Sequence, residues 1–179
     1  MSAKQVIRFW FEDIEPKQRF VKDEDFDELI RSKFALTHSL GNRGLLYPWR
    51  GHPLDALAEI IVLDQFSRNM FRGKAAAFAS DTLALVLAQE AIRRNFDESL
   101  SPTQQAFLYM PFMHSESAEF HEIALFLFDK PGLEDNFNFE VRHKDIIDRF
   151  GRYPHRNEIL GRESTEEETE FLQQPGSGF

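Results

Sequence analysis

The chain has 179 residues, 42% of them hydrophobic, no cysteine and a formal net charge of −9. That is apolar mass enough for one domain with a real core, much of it phenylalanine, which occurs 19 times. The missing cysteines exclude disulfides and thiolate zinc sites, and the acidic balance excludes the broad basic surface that general nucleic-acid binding needs.

Residues 4 to 13 read as a short apolar helix broken at Glu15-Pro16. A second helix is predicted from about Asp23 to His38, with Gly41 past its end, followed by an aromatic-rich loop to Pro53. No apolar run approaches the ~18 residues of a membrane span, and Lys4 and Arg8 are not followed by a signal-peptide core. A cytoplasmic protein binding neither membrane nor nucleic acid is expected.

From Leu54 to Leu63 apolar residues occupy most of the helix circumference, the mark of a central helix. Polar residues then interrupt it abruptly. Asp64, Arg68 and Arg72 recur at i, i+4 and i+8 on one stripe, with Gln65 and Asn69 beside them and Gly73 as the stop. Charges at the end of a buried helix need partners. One reading is an internal Asp–Arg network tying helices together; the other is the wall of a binding or catalytic site.

Ser80 and Asp81 are candidate caps for a helix over Thr82 to Asn95, with Leu83, Val86, Leu87 and Ala91 facing inward. Ser101-Pro102-Thr103-Gln104 is a capping box with proline at the first helical position. Pro111 should kink or end that helix near His114, leaving His114, Ser115 and Glu116 at a junction. Phe120, Ile123, Ala124, Leu127 and Phe128 mark the next helix, up to Pro131-Gly132.

A further helix is expected from Phe137 to Phe150, with Phe139, His143, Ile146 and Phe150 on one face and Arg142, Asp145 and Arg149 on the next. Ser164 to Glu167 reads as the capping box of a last acidic helix. No segment alternates with period two, so no sheet is expected, and stacked antiparallel helical hairpins are the predicted architecture.

Between residues 142 and 162 lie Arg142, Lys144, Arg149, Arg152, Arg156 and Arg162 against only Asp145, Asp148 and Glu158. Such a positive island suits a compact anion. The loop from Phe150 to Asn157, with Arg152, His155 and Arg156, is rich in donors that could wrap one; Asn157 or His155 could equally be a cap. Glu140 and His143 have the spacing of a helical di-iron motif, but no second pair accompanies them. No metal or cofactor is expected, and no nucleophile elbow, P-loop or dinucleotide fingerprint occurs. If chemistry exists, His114 or His143 would be the acid or base, with Arg68, Arg72, Arg149 and Arg156 stabilising negative charge.

The motifs at Phe9-Trp10-Phe11, Leu63 to Gly73, His114-Ser115-Glu116, Arg142 to Asp145, Phe150 to Asn157 and Leu160 to Thr165 resemble, in order, the bacterial family called domain of unknown function 924. The likeness runs nearly the whole length, down to Pro175-Gly176-Ser177-Gly178-Phe179. It implies an all-α, tetratricopeptide-like superhelical fold and brings no catalytic residues with it.

Three functions follow as expectations. The first is a binding module offering Asp64, Arg68, Arg72, His114, Glu116, Arg142, His143, Arg149, Arg152, His155 and Arg156 to an anionic small molecule or acidic peptide. The second is a hydrolase on an anionic substrate using histidine acid–base catalysis, and the third is a purely structural polar network. Unpaired arginines around an open cleft favour the first two, and arginines matched to buried carboxylates favour the third.

Overall fold

The run of apolar residues ahead of Asp64 becomes α3 (Pro53–Met70), and every residue from Ala56 to Ser67 is buried. A helix apolar on all sides must be covered on all sides. It is packed against α1 (Ala3–Arg8), α2 (Glu24–Asn42), α4 (Asp81–Arg93) and α5 (Pro102–Met113). Beyond this bundle α6 (Ala118–Phe128) packs on α5, and α7 (Glu134–Phe150) on α6 and α5. The last helix, α8 (Glu166–Leu172), lies against the turn Pro154–Arg156. This computed structural model describes residues 1–178, all-α and without a strand among them.

Aromatic rings fill the space around α3. Phe66 lies 4.6 Å from Phe34 and 5.5 Å from Trp10 between ring centres, and Trp10 reaches Phe107 at 5.6 Å. Offset and edge-on pairs of this kind add to the area they bury.

The helix ends follow local chemistry, with several departures from the sequence reading. Ser101 with Gln104 forms the expected capping box, and Pro53 and Pro102 begin their helices. Helix α2 runs past His38 to Asn42, so Gly41 lies inside it and not beyond it. The reason is packing: a Cβ at Gly41 would stand 3.2 Å from Leu63 Cδ2, while the left-handed turn falls to Gly44 at φ +70°. Ser80 caps nothing with its side chain, because its Oγ donates to Asn42 Oδ1. The capping box of α8 is one residue later than expected, formed by Thr165 and Glu168. Val86 and Phe139, expected inside, are exposed.

The stretch 75–93 has a mean hydropathy of 1.3, long and apolar enough by composition to count as a membrane-span candidate, which the sequence reading passed over. Here it is a 3-10 turn (Ala75–Ala77) followed by α4, whose Ala84, Leu85, Leu87, Ala88 and Ala91 face the core. Its apolar character is spent on packing.

Truncating Phe66 to alanine removes the ring on which Phe34 and Trp10 close, and a loss of about 3–5 kcal/mol in chemical denaturation is expected. Gly41→Val should cost about 1–3 kcal/mol by pushing against Leu63.

Candidate functional site

Asp64 is 1% exposed, in the last third of α3, and a carboxylate so placed must be compensated. His114 Nδ1 lies 2.7 Å from its Oδ1, Arg68 reaches the same oxygen at 3.1 Å, and Gln65 Nε2 donates to Oδ2. Burial alone would raise the Asp64 pKa, but Arg68 and His114 hold it far below the ordinary carboxylate value. An ionised carboxylate only accepts, so Nδ1 of His114 carries the proton. Burial, then the Arg68 charge, depresses His114 below the ordinary imidazole value of 6.5, so the ring is neutral at pH 7. Its Nε2 is therefore a lone pair, with no hydrogen-bond partner among the described residues.

His114 caps α5 at the point where Pro111 foretold a break. It lines a hollow of about 310 Å³ between the turn at Ala75–Ala79, the start of α4, the end of α5 and the loop carrying Arg156. Ala75, Ala79, Thr82 and Leu160 on its walls are exposed, so the hollow opens to water. Arg68 stands behind it, forked onto Asp81 with both bonds at 3.0 Å. Arg156, 6% exposed, is held between Phe78 and Tyr153, 4.5 Å from each ring centre. Its terminal nitrogens reach Asp81 at 3.4 Å and the His114 carbonyl at 3.1 Å, and its buried Nε has no partner among the described residues. Glu116 completes the wall, held by a fork from Arg162 at 2.7 and 2.9 Å and by the Tyr153 amide.

The profile of a family described as bacterial protein of unknown function, DUF924, matches residues 6–176. The chain belongs to this family. It is also similar to the solved structure of a protein of unknown function, ATU0120 from Agrobacterium tumefaciens, with 38% identity over 96% of each chain and a TM-score of 0.91. A search of curated proteins gave no match.

Of the residues singled out in this DUF924 sequence, the fold brings His114, Glu116 and Arg156 to the hollow, with Asp64 and Arg68 directly behind His114 and Asp81. The others stand elsewhere. Arg72 forks onto Asp27, which Asn69 also holds, on the α2 side of α3. Arg152 forks onto Glu168 at 2.6 and 2.8 Å. Arg149 is exposed and meets Glu167, and Arg142 is exposed over the Phe139 ring. His143 does not line the hollow: its Nδ1 bonds the Phe139 carbonyl and its ring stands 5.8 Å from Tyr153. His155 packs against the same tyrosine, 5.5 Å away. Asn157 spends its amide on Ser164 and Glu168.

Sequence reasoning missed the pair His121–Glu140, both fully buried and 2.6 Å apart. Burial raises the Glu140 pKa, and the bond to His121 opposes that. Only the i, i+3 spacing within α7 was visible, so Glu140 was weighed with His143 when its partner is on α6. Among the described residues no group of three or more potential ligands is gathered that could hold a metal ion. Asp81 was read as a cap, yet it is the carboxylate that joins Arg68 to Arg156.

Burial depresses His143 to about 3 and His155 to about 4, from 6.5. Between these values the unfolded chain binds protons that the folded chain refuses, so stability is full above pH 6.5 and falls with acid down to about 3. The melting temperature should thus already drop between pH 7 and 5.5, before the carboxylates titrate, as followed by circular dichroism. A flat profile over that interval contradicts the assignment.

Proposed function

We propose that the hollow is the active site of a hydrolase acting on a small molecule, with His114 as general base and Arg156 as the cation that takes developing negative charge. The observation that carries this is the imidazole itself: a buried carboxylate orients it through Nδ1, and His114, whose side chain keeps some exposure, lines a water-accessible hollow. A histidine fixed in one tautomer beside open space is equipped for proton transfer. A histidine serving only to join α3 to α5 needs no such opening.

The reaction is a water addition. His114 Nε2 takes a proton as a water oxygen forms its bond to the electrophilic centre. The bond to the leaving group then breaks, its electron pair departs with that group, and the imidazolium returns the proton to it. Asp64 touches no substrate; it is the positioning residue that sets the tautomer.

The structural-network reading is supported for part of the same motif set. Arg72, Arg152 and Arg162 are each forked onto a carboxylate, which supports a packing role for them. The size of the hollow favours a small molecule over an acidic peptide. A tetratricopeptide-like stack and a cytoplasmic location belong to the same proposal. Support for them comes from the short connections between packed helices and from an acidic composition without cysteine.

Purified protein should turn over a member of a panel of carboxylate and phosphate esters. In a still-folded His114→Ala variant the rate should fall about 10²–10⁴-fold. The kcat/KM profile should be level through neutral pH and decline only below the ordinary imidazole value of 6.5, because protonated His114 is no base. A His114→Ala variant with undiminished turnover would falsify the assignment.

A further inference from the structure

One guanidinium lines the hollow and another stands behind it, and they are not equivalent. Arg68 is the more heavily engaged: it bonds both oxygens of Asp81 at 3.0 Å, the Asp64 carboxylate at 3.1 Å and the Asp64 carbonyl at 2.8 Å. Arg156 has one long contact to Asp81, one to a backbone carbonyl, and an Nε with no acceptor among the described residues. A guanidinium offers five N–H donors, so most of the binding capacity of Arg156 is unspent. Burial, and then the neighbouring Arg68 charge, press its pKa down, which is the sign of a cation short of compensation.

The rest of the wall limits how much negative charge can join it. Asp81 and Glu116 already face the hollow, with Asp64 behind it, and Arg68, Arg162 and Arg156 balance these three carboxylates. A neutral group that develops one negative oxygen beside Arg156 therefore adds a single charge, at the cation whose donors are least used. A dianion would add two charges beside two wall carboxylates, at a higher cost. Phe78, Leu85, Pro111 and Leu160 line the remaining wall, which suits an apolar body. A space of about 310 Å³ is at the small end of ligand pockets, which suits a short acid.

Resting on the reading of His114 as general base, we infer that the substrate class is an ester or amide of a small apolar carboxylic acid, not a phosphate ester, and that Arg156 is the oxyanion subsite. In the water addition above, the electrophilic centre is then an acyl carbon. Its carbonyl electrons move onto oxygen beside Arg156 and return as the alcohol or amine leaves. The product is a carboxylic acid, which gives its remaining proton to water and lies in the same place as a monocarboxylate. Arg156 is tied to the carbonyl of His114 itself, so base and subsite move as one.

Sodium butyrate and sodium benzoate serve as product probes against phenyl phosphate and inorganic phosphate, with affinity read by calorimetry on the whole protein. The carboxylates should bind and the phosphates should not. Arg156→Gln should weaken carboxylate binding about tenfold to a hundredfold. Arg156→Lys, which keeps the charge but not the fork, should fall between and guards against a misfolded Gln variant. Phenyl phosphate binding as tightly as benzoate overturns the inference, as does carboxylate affinity unchanged in both variants.

His114→Ala separates the two claims. Carboxylates that still bind this variant and lose affinity in the Arg156 variants establish the subsite even where no ester is turned over, and then only the base assignment falls. Turnover lost in His114→Ala but with KM unchanged in both Arg156 variants removes the subsite and leaves the base.

Discussion

Asp64 is an ionised carboxylate placed inside a helix that is buried over most of its length, and the geometry of its surroundings follows from that burial. Such a charge is tolerated only with partners at hydrogen-bond distance, and each partner belongs to a segment that must be held in place. His114 brings the end of α5 to α3, and Arg68 links α3 to Asp81 at the start of α4. Asp81 in turn draws in Arg156 from the loop after α7. One buried charge thus organises three neighbouring segments, and the hollow is the space between them.

The hydrophobic core and this polar chain divide the work. Phe34, Phe66, Trp10 and Phe107 surround α3 without specifying its rotation closely, since an apolar helix can present several faces to an apolar bundle. The polar ties remove that freedom. Asp27 with Arg72 and Asn69 fixes α3 against α2, and Glu59, wholly buried, is forked by Arg50 from the loop ahead of α3. His38, Ser67, Ser80 and Asn42 form a further link among α2, α3 and the approach to α4. The His114 imidazole differs from these ties: its Nδ1 meets Asp64, and its Nε2 has no hydrogen-bond partner among the described residues.

Helix periodicity made α3 and its polar stripe legible, and Pro111 marked the junction at which His114 lies. Charge partners were not legible. Arg68 and Arg72 share a stripe, yet one turns to Asp81 and the hollow while the other turns to Asp27, far away in the chain. A stripe records which side of a helix a residue occupies, and partner choice depends on which neighbour packs there. The same limit explains the wrong grouping of Arg142 and Arg149, which lie on the outside of α7, and the unseen His121–Glu140 pair, which joins α6 to α7. Gly41 shows it for the fold: the sequence displays a helix stop, whereas the real demand is the close approach of Leu63.

The contact between Arg156 and the His114 carbonyl has a bearing on synthesis. A ribosome adds residues from the N-terminus, so α3, α4 and α5 emerge with Asp64, Asp81 and His114 well before the loop that supplies the second cation. Until that loop arrives, Asp81 has only Arg68 and the hollow lacks the wall that Arg156 and Leu160 supply. The nascent protein can therefore gather its apolar centre early and acquire a finished recognition surface only late in translation.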